Sequence, residues 1–171
     1  MIVADAVAHA RPPLFGAGFF QVCYVTSDLA AGMRQLATLH GIDRFRVRRD
    51  VASLPGMPTM RLHQAHVYLG DVQIELIQPA GGCDAIYRDC CVADGTLRHH
   101  HNGIWIDAPS KYASLPERCA TLGVPIAMEI ALPGIGGAIY ADFRRVLGHY
   151  LEYVHLEPQV KAGCYADVPR Y

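Results

Sequence analysis

Gly70-Asp71-Val72-Gln73-Ile74-Glu75-Leu76-Ile77-Gln78-Pro79 is the stretch on which the fold turns. Gly-Asp is a hairpin signal, the residues after it are apolar and β-branched, and proline closes the run, so 72–78 is expected to be a strand. In its middle a carboxylate, Glu75, sits between Ile74 and Leu76. A carboxylate in an apolar strand is costly unless it is paired or ligated. The same arrangement returns late in the chain: Gly148 precedes Leu151-Glu152-Tyr153-Val154, and Pro158 follows. Two carboxylates at matching places in a repeat call for a common cause.

Working outward from 70–79, residues 60–69 supply the partner strand of the hairpin. Residues 44–51 alternate charged and apolar side chains like a half-exposed strand, and 52–58, with two prolines and a glycine, read as a loop. Before them, Asp28 is an N-cap candidate for a helix over 29–40 that ends at Gly41, and 18–26 (GFFQVCYVT) is strand-like. The first half is therefore β-α-β-β-β. After a connector that opens at Gly81-Gly82 and has a short helix candidate at 84–91, the order repeats. It comprises a strand at 99–107, a helix at 110–122 ending at Gly123, and strands at 125–132, 138–144 and 150–156. Ala37-Thr38-Leu39-His40-Gly41 is matched by Ala120-Thr121-Leu122-Gly123 at the end of the corresponding helix. The expected division is an N-terminal extension at 1–14, a first βαβββ module at 15–79, a connector at 80–97, a second module at 98–158 and a tail at 159–171. The fold class is α+β: two paired βαβββ modules forming an open, barrel-like metal-binding cleft.

Composition sets the outer bounds. In 171 residues, 51% apolar and 18% charged, there is material for a substantial core. A net charge of −1 without a basic tract gives no footprint for nucleic acid. No apolar run approaches the roughly 20 residues of a membrane helix. The six cysteines form no C-x-x-C pair and read as free thiols, and the start of the chain has no basic segment ahead of its apolar residues, so a cytoplasmic protein is expected.

The polar residues on the apolar strands carry the chemistry. Gln21 lies among Phe19, Phe20, Val22 and Cys23, while His101 leads into Gly103, Ile104 and Trp105. Gln21 and Glu75 are 54 positions apart, and His101 and Glu152 are 51 apart, so each module offers one group from its first strand and one from its last. If the modules close around a cleft, the four converge. One nitrogen and three oxygen donors suit one divalent cation per chain: Zn, Ni, Co, Mn or Fe(II). His99 and His100 stand as alternatives to His101. Trp105, Tyr140 and Tyr150 are the candidates for contact with a small-molecule substrate.

QVCYVTSDL, QIELIQP, HHNGIWID and LGHYLEYV together resemble the four ligand-bearing strands of the vicinal-oxygen-chelate superfamily, which includes glyoxalase I, methylmalonyl-CoA epimerase, extradiol dioxygenases and drug-resistance proteins. The resemblance spans about 15–158. The order Gln, Glu, His, Glu is similar to that of zinc-type glyoxalase I. It implies a metal-dependent lyase or isomerase that chelates two substrate oxygens and stabilises an enediolate, with Glu152 as the base and Glu75 assisting. Gln21 stands where dioxygenases have a histidine, which argues against iron oxygenase chemistry. Epimerases carry a further acidic base between the first helix and the third strand, where this chain has only Asp43 and Asp50. The basic residues with which glyoxalase I grips glutathione have no clear match. The resemblance also implies a homodimer, and it leaves open a binding protein of the resistance type that uses the same cleft without turnover.

Overall fold

Alternation along the strands decides which face each residue serves. In the computed structural model, which describes residues 18–52 and 60–171, the first module comprises β1 (Phe19–Val25), α1 (Leu29–His40), β2 (Arg46–Ala52), β3 (Arg61–Leu69) and β4 (Val72–Gly81). The extension expected at 1–14 and most of the loop expected at 52–58 lie outside the described residues. The second module repeats the order as β5 (Arg98–Trp105), a helical segment, β6 (Ile126–Leu132), β7 (Gly136–Asp142) and β8 (Tyr150–Leu156). Both fall in one curled sheet of eight strands, ordered β2-β3-β4-β1-β5-β8-β7-β6. Within each module the first strand pairs in parallel with the last, β1 with β4 and β5 with β8. The antiparallel pair β1–β5 joins the two modules at the centre.

Helices cover one face. Asp28 caps α1 by accepting from Ala31 N–H at 2.9 Å, and Gly41 closes it in the left-handed region at φ 68°. Leu29 and Leu36 of α1 pack on Ala65, Val67 and Leu76. In the second module the helix expected over 110–122 is broken into α3 (Pro109–Ala113) and α4 (Leu115–Leu122). Pro116 accounts for the break: it has no N–H to donate backward, so it sits in the first turn of α4. Leu115 and Cys119 of α4 pack on Ile139 and Tyr153. Each wholly buried large apolar side chain contributes roughly 1.5–3 kcal/mol. The strand residues between these, Glu75 and Ile77 on β4 and Glu152 and Val154 on β8, therefore face the other way, into the cleft.

Three short helices complete the chain. In the connector, α2 (Ala85–Arg88) falls inside the segment expected to be helical. Residues 143–144, expected to end a strand, instead lead into α5 (Arg144–Leu147), which terminates at Gly148 with φ 81°. After β8, α6 (Pro158–Cys164) and the residues beyond it fold back across the cleft. They reach β3, where Tyr68 bridges Arg170 and exchanges backbone hydrogen bonds with Pro169 and Tyr171. No helix among the described residues is long and apolar enough to cross a membrane.

Candidate metal centre

Strand register places all four residues read from the sequence in two adjacent rows across the sheet. One row runs Arg46, His66, Glu75, Cys23, His101, Tyr150. The next runs Gln73, Gln21, Gly103, Glu152, Tyr140. The repeat exchanges these rows: Glu75 corresponds to Glu152, His101 to Gln21, and His66 to Tyr140. Gly103 is needed at its position, since a Cβ there would stand 2.9 Å from both Cβ and Oε1 of Gln21.

His101 Nε2 is the hub. It lies 3.2 Å from Glu152 Oε2, 3.5 Å from Glu75 Oε2 and 3.4 Å from Gln21 Oε1. Ligands held at about 2.0–2.2 Å from one ion stand roughly 3–3.5 Å from their neighbours. Gln21, Glu75 and His101 are buried and Glu152 is partly so. Gln21, Glu75 and Glu152 open onto a cleft of about 290 Å³ whose walls are mostly apolar, including Leu62, Ile130 and Leu132.

Hydrogen-bond direction tests whether a cation fits. Ile86 O lies 2.9 Å from His100 Nε2, and a carbonyl only accepts, so His100 carries its proton on Nε2. Burial drives the His100 pKa down to about 3, so the ring is neutral and its Nδ1 is an acceptor. His101 Nδ1, 2.8 Å away, must therefore donate to it. Nε2 is the ring nitrogen left facing the carboxylates of Glu75 and Glu152. Gln21 donates through Nε2 to Gln73 Oε1 at 2.7 Å, which turns its Oε1 toward His101. Three oxygens, two of them on carboxylates, thus converge on one imidazole nitrogen. A divalent cation is the group such a cage accommodates, and the donor set fits it.

The outer oxygens of the carboxylates are held as well. Glu75 Oε1 accepts from His66 Nε2 at 2.9 Å, and Arg46 Nη2 stands 3.4 Å from His66 Nδ1. Burial alone would raise the Glu75 pKa, but the hydrogen bond and charge of His66, with the charge of His101, hold it below its ordinary value. Glu152 Oε1 accepts from Tyr140 Oη at 2.6 Å, so Tyr87 Oη, 2.9 Å from Tyr140 Oη, is the donor to Tyr140. Burial, and then the charge of Glu152, push both phenols well above their usual range, which keeps them protonated as donors. Gln73 Nε2 remains buried without a partner.

A second grouping, Cys23, His100 and His101, also brings ligand atoms within 4.8 Å of one another. All three residues are buried and none lines the cleft, so that grouping offers a substrate no coordination position. His99 is turned away, with Nε2 2.9 Å from Asn102 Oδ1. Of the aromatic candidates, Tyr140 lines the cleft. Trp105 stacks on Phe20 at 4.2 Å beneath Lys161, and Tyr150 lies between His100 and Arg144; neither lines the cleft. Asp43 pairs with Tyr171 and Asp50 with Arg61, both at the surface. His66, Tyr87 and Gln73 were not singled out from the sequence. The signal for His66 was its place in the repeat, opposite Glu75 as Tyr140 is opposite Glu152.

No family model and no curated protein sequence matches the chain. Solved structures do. Methylmalonyl-CoA epimerase from Mycobacterium tuberculosis aligns at 16% identity and a TM-score of 0.56, covering 91% of this chain and 98% of that one. A substituted Streptomyces coelicolor methylmalonyl-CoA epimerase in complex with 2-nitronate-propionyl-CoA aligns at 15% identity and 0.54, covering 80% and 95%. A hypothetical protein from Bacillus halodurans aligns at 16% and 0.53, covering 82% and 95%. With the duplicated βαβββ order, these likenesses show that the chain shares the fold of those proteins, an α+β fold of the glyoxalase-like type.

Proposed function

We propose that this chain is a metal-dependent isomerase or lyase that removes a proton from a carbon next to a carbonyl in a small, chelating substrate. The observation that supports it is the convergence of Gln21 Oε1, Glu75 Oε2 and Glu152 Oε2 on His101 Nε2. When bound, a divalent ion supplies Lewis acidity that lowers the pKa of the neighbouring C–H. Glu152 is the general base. It is the more exposed of the two carboxylates, at 13% against 8% for the side chains, and it faces the cleft. Tyr140 holds its Oε1 and fixes the direction of the other oxygen. Glu75 faces the substrate from the opposite side of His101 and is the group able to return a proton there. The apolar walls exclude water and so strengthen these interactions.

The structural neighbours named as epimerases favour the isomerase branch, with one difference in residues. Between α1 and β3 the only carboxylates are Asp43 and Asp50, and the strand beside the cleft presents Arg46 and Arg48 instead. Any base on that side is therefore Glu75. The reading also includes a homodimer, which light scattering at micromolar concentration tests through the mass. Solvent deuterium exchange into a chelating α-hydroxy-ketone or a thioester, with and without added metal, tests the chemistry. Metal-dependent exchange is expected. Ligand binding without exchange would instead favour a binding protein, and oxygen consumption with Fe(II) an oxygenase.

A further inference from the structure

The connector between the modules has a role in the centre that its sequence does not advertise. Two adjacent residues of α2 end hydrogen-bond chains that lead to the two ligands of the second module. Ile86 O accepts from His100 Nε2 at 2.9 Å, and His100 Nδ1 accepts from His101 Nδ1 at 2.8 Å. Tyr87 Oη donates to Tyr140 Oη at 2.9 Å, and Tyr140 Oη donates to Glu152 Oε1 at 2.6 Å. The first chain holds a proton on His101 Nδ1 and leaves Nε2 facing the carboxylates. The second occupies one oxygen of Glu152 and leaves the other facing His101. Each chain has a single consistent direction, because it ends at a group whose role is set: a carbonyl that only accepts, and a carboxylate that only accepts.

The chains are also buried. Tyr87 is 2% exposed and His100 1%. Their rings pack at 4.7 Å between centroids, so the chains brace each other. Asp84 anchors the start of the helix by accepting from Gly81 N–H at 2.8 Å and pairing with Arg88. In the first module Gln21 and Glu75 are held directly by Gln73 and His66 of its own strands, and Arg46 behind His66 is tied to Cys164 O and Asp167 of the segment after β8.

We infer that α2 is the positioning element of the metal centre, with His100 setting the tautomer of His101 and Tyr87 setting the orientation of Glu152 through Tyr140. The inference rests on the metal reading of the site. Groups that orient a ligand from outside commonly change metal affinity by 10- to 100-fold.

The test uses the full chain loaded with Co(II), whose visible absorption reports ligand geometry, and a competing chelator to measure affinity. His100→Asn keeps an acceptor near the place of Nδ1 but loses Ile86, while His100→Phe loses both. Tyr87→Phe removes only the phenol proton donor. The expected affinity order is wild type, then His100→Asn, then His100→Phe, with the last weakened roughly 10- to 100-fold and its cobalt spectrum shifted. Tyr87→Phe should keep the metal-free protein folded and still shift the spectrum. If wild type binds cobalt and both Tyr87→Phe and His100→Asn match it in affinity and spectrum, the positioning role is overturned and the metal reading stands. A wild type that takes up no cobalt overturns both.

Discussion

His66 and Tyr140 occupy the same place in the two modules, each opposite a glutamate on the neighbouring strand, and they hold those glutamates by different physics. His66 is an imidazole backed by the Arg46 guanidinium, so Glu75 sits in an ionisable, charge-assisted network. Tyr140 is a neutral phenol backed by another phenol, so Glu152 has hydrogen bonds but no cation at its outer oxygen. The repeat supplies two equivalent carboxylates, and the residues behind them put a guanidinium-backed imidazole beside one and a neutral phenol beside the other.

Breaking this asymmetry should have graded effects. The largest is on chemistry. Glu152→Gln keeps an oxygen donor and the shape but cannot accept a proton near neutral pH. Exchange of a substrate C–H with deuterium should slow by roughly 100-fold or more while metal stays bound. Equal exchange in mutant and wild type would make Glu152 a ligand only and move the base to Glu75. Next comes stability without metal. His66→Phe leaves the Glu75 carboxylate buried without its main partner, at a cost of about 3 kcal/mol in urea unfolding. Tyr140→Phe removes one neutral donor and should cost about 1 kcal/mol. Similar losses for the two would mean that the modules hold their carboxylates alike.

Gly103→Ala probes the seam. The added methyl would meet Gln21 Oε1 at 2.9 Å and Phe20 Cε1 at 2.9 Å. A loss of roughly 1–3 kcal/mol is expected from overpacking, together with weaker metal binding, because the methyl displaces a ligand of the other module. Unchanged affinity would show that Gln21 is not a ligand. The smallest effects lie on the helices. Asp28 accepts from Ala31 N–H, whereas Ser114, before α4, makes no capping bond and donates back to Lys111 O. Asp28→Ala should therefore cost about 1 kcal/mol and Ser114→Ala little, with neither affecting metal uptake.

How much of this could be read from residues alone follows the same division. Gln21, Glu75 and Glu152 were legible because each interrupts an apolar strand, and His101 because it leads into one at a spacing that repeats. The duplicated order of elements was legible from turn glycines and prolines for the same reason. His66 was not, because β3 carries His63, Gln64 and His66 within four positions, and only pairing with β4 shows which one meets Glu75. His100 was weighed as a ligand, but its role as acceptor from His101 depends on a backbone carbonyl in the connector. Trp105 and Tyr150 were read as candidates for contact with substrate. In the fold Trp105 is stacked on Phe20, and Tyr150 is packed between His100 and Arg144. The break at Pro116 was visible as a proline, but a proline in the first turn of a second helix and one inside a kinked helix look the same in a sequence.

The claim beneath all of this is that the converging oxygens and nitrogen hold a cation. Elemental analysis of protein purified without chelators tests it, on wild type beside the double variant Glu75→Gln, His101→Ala. The account predicts about one divalent ion per chain in wild type and none in the variant, with the variant still folded by circular dichroism. A wild type that stays metal-free when divalent ions are supplied, or a variant that retains its full complement, would contradict it.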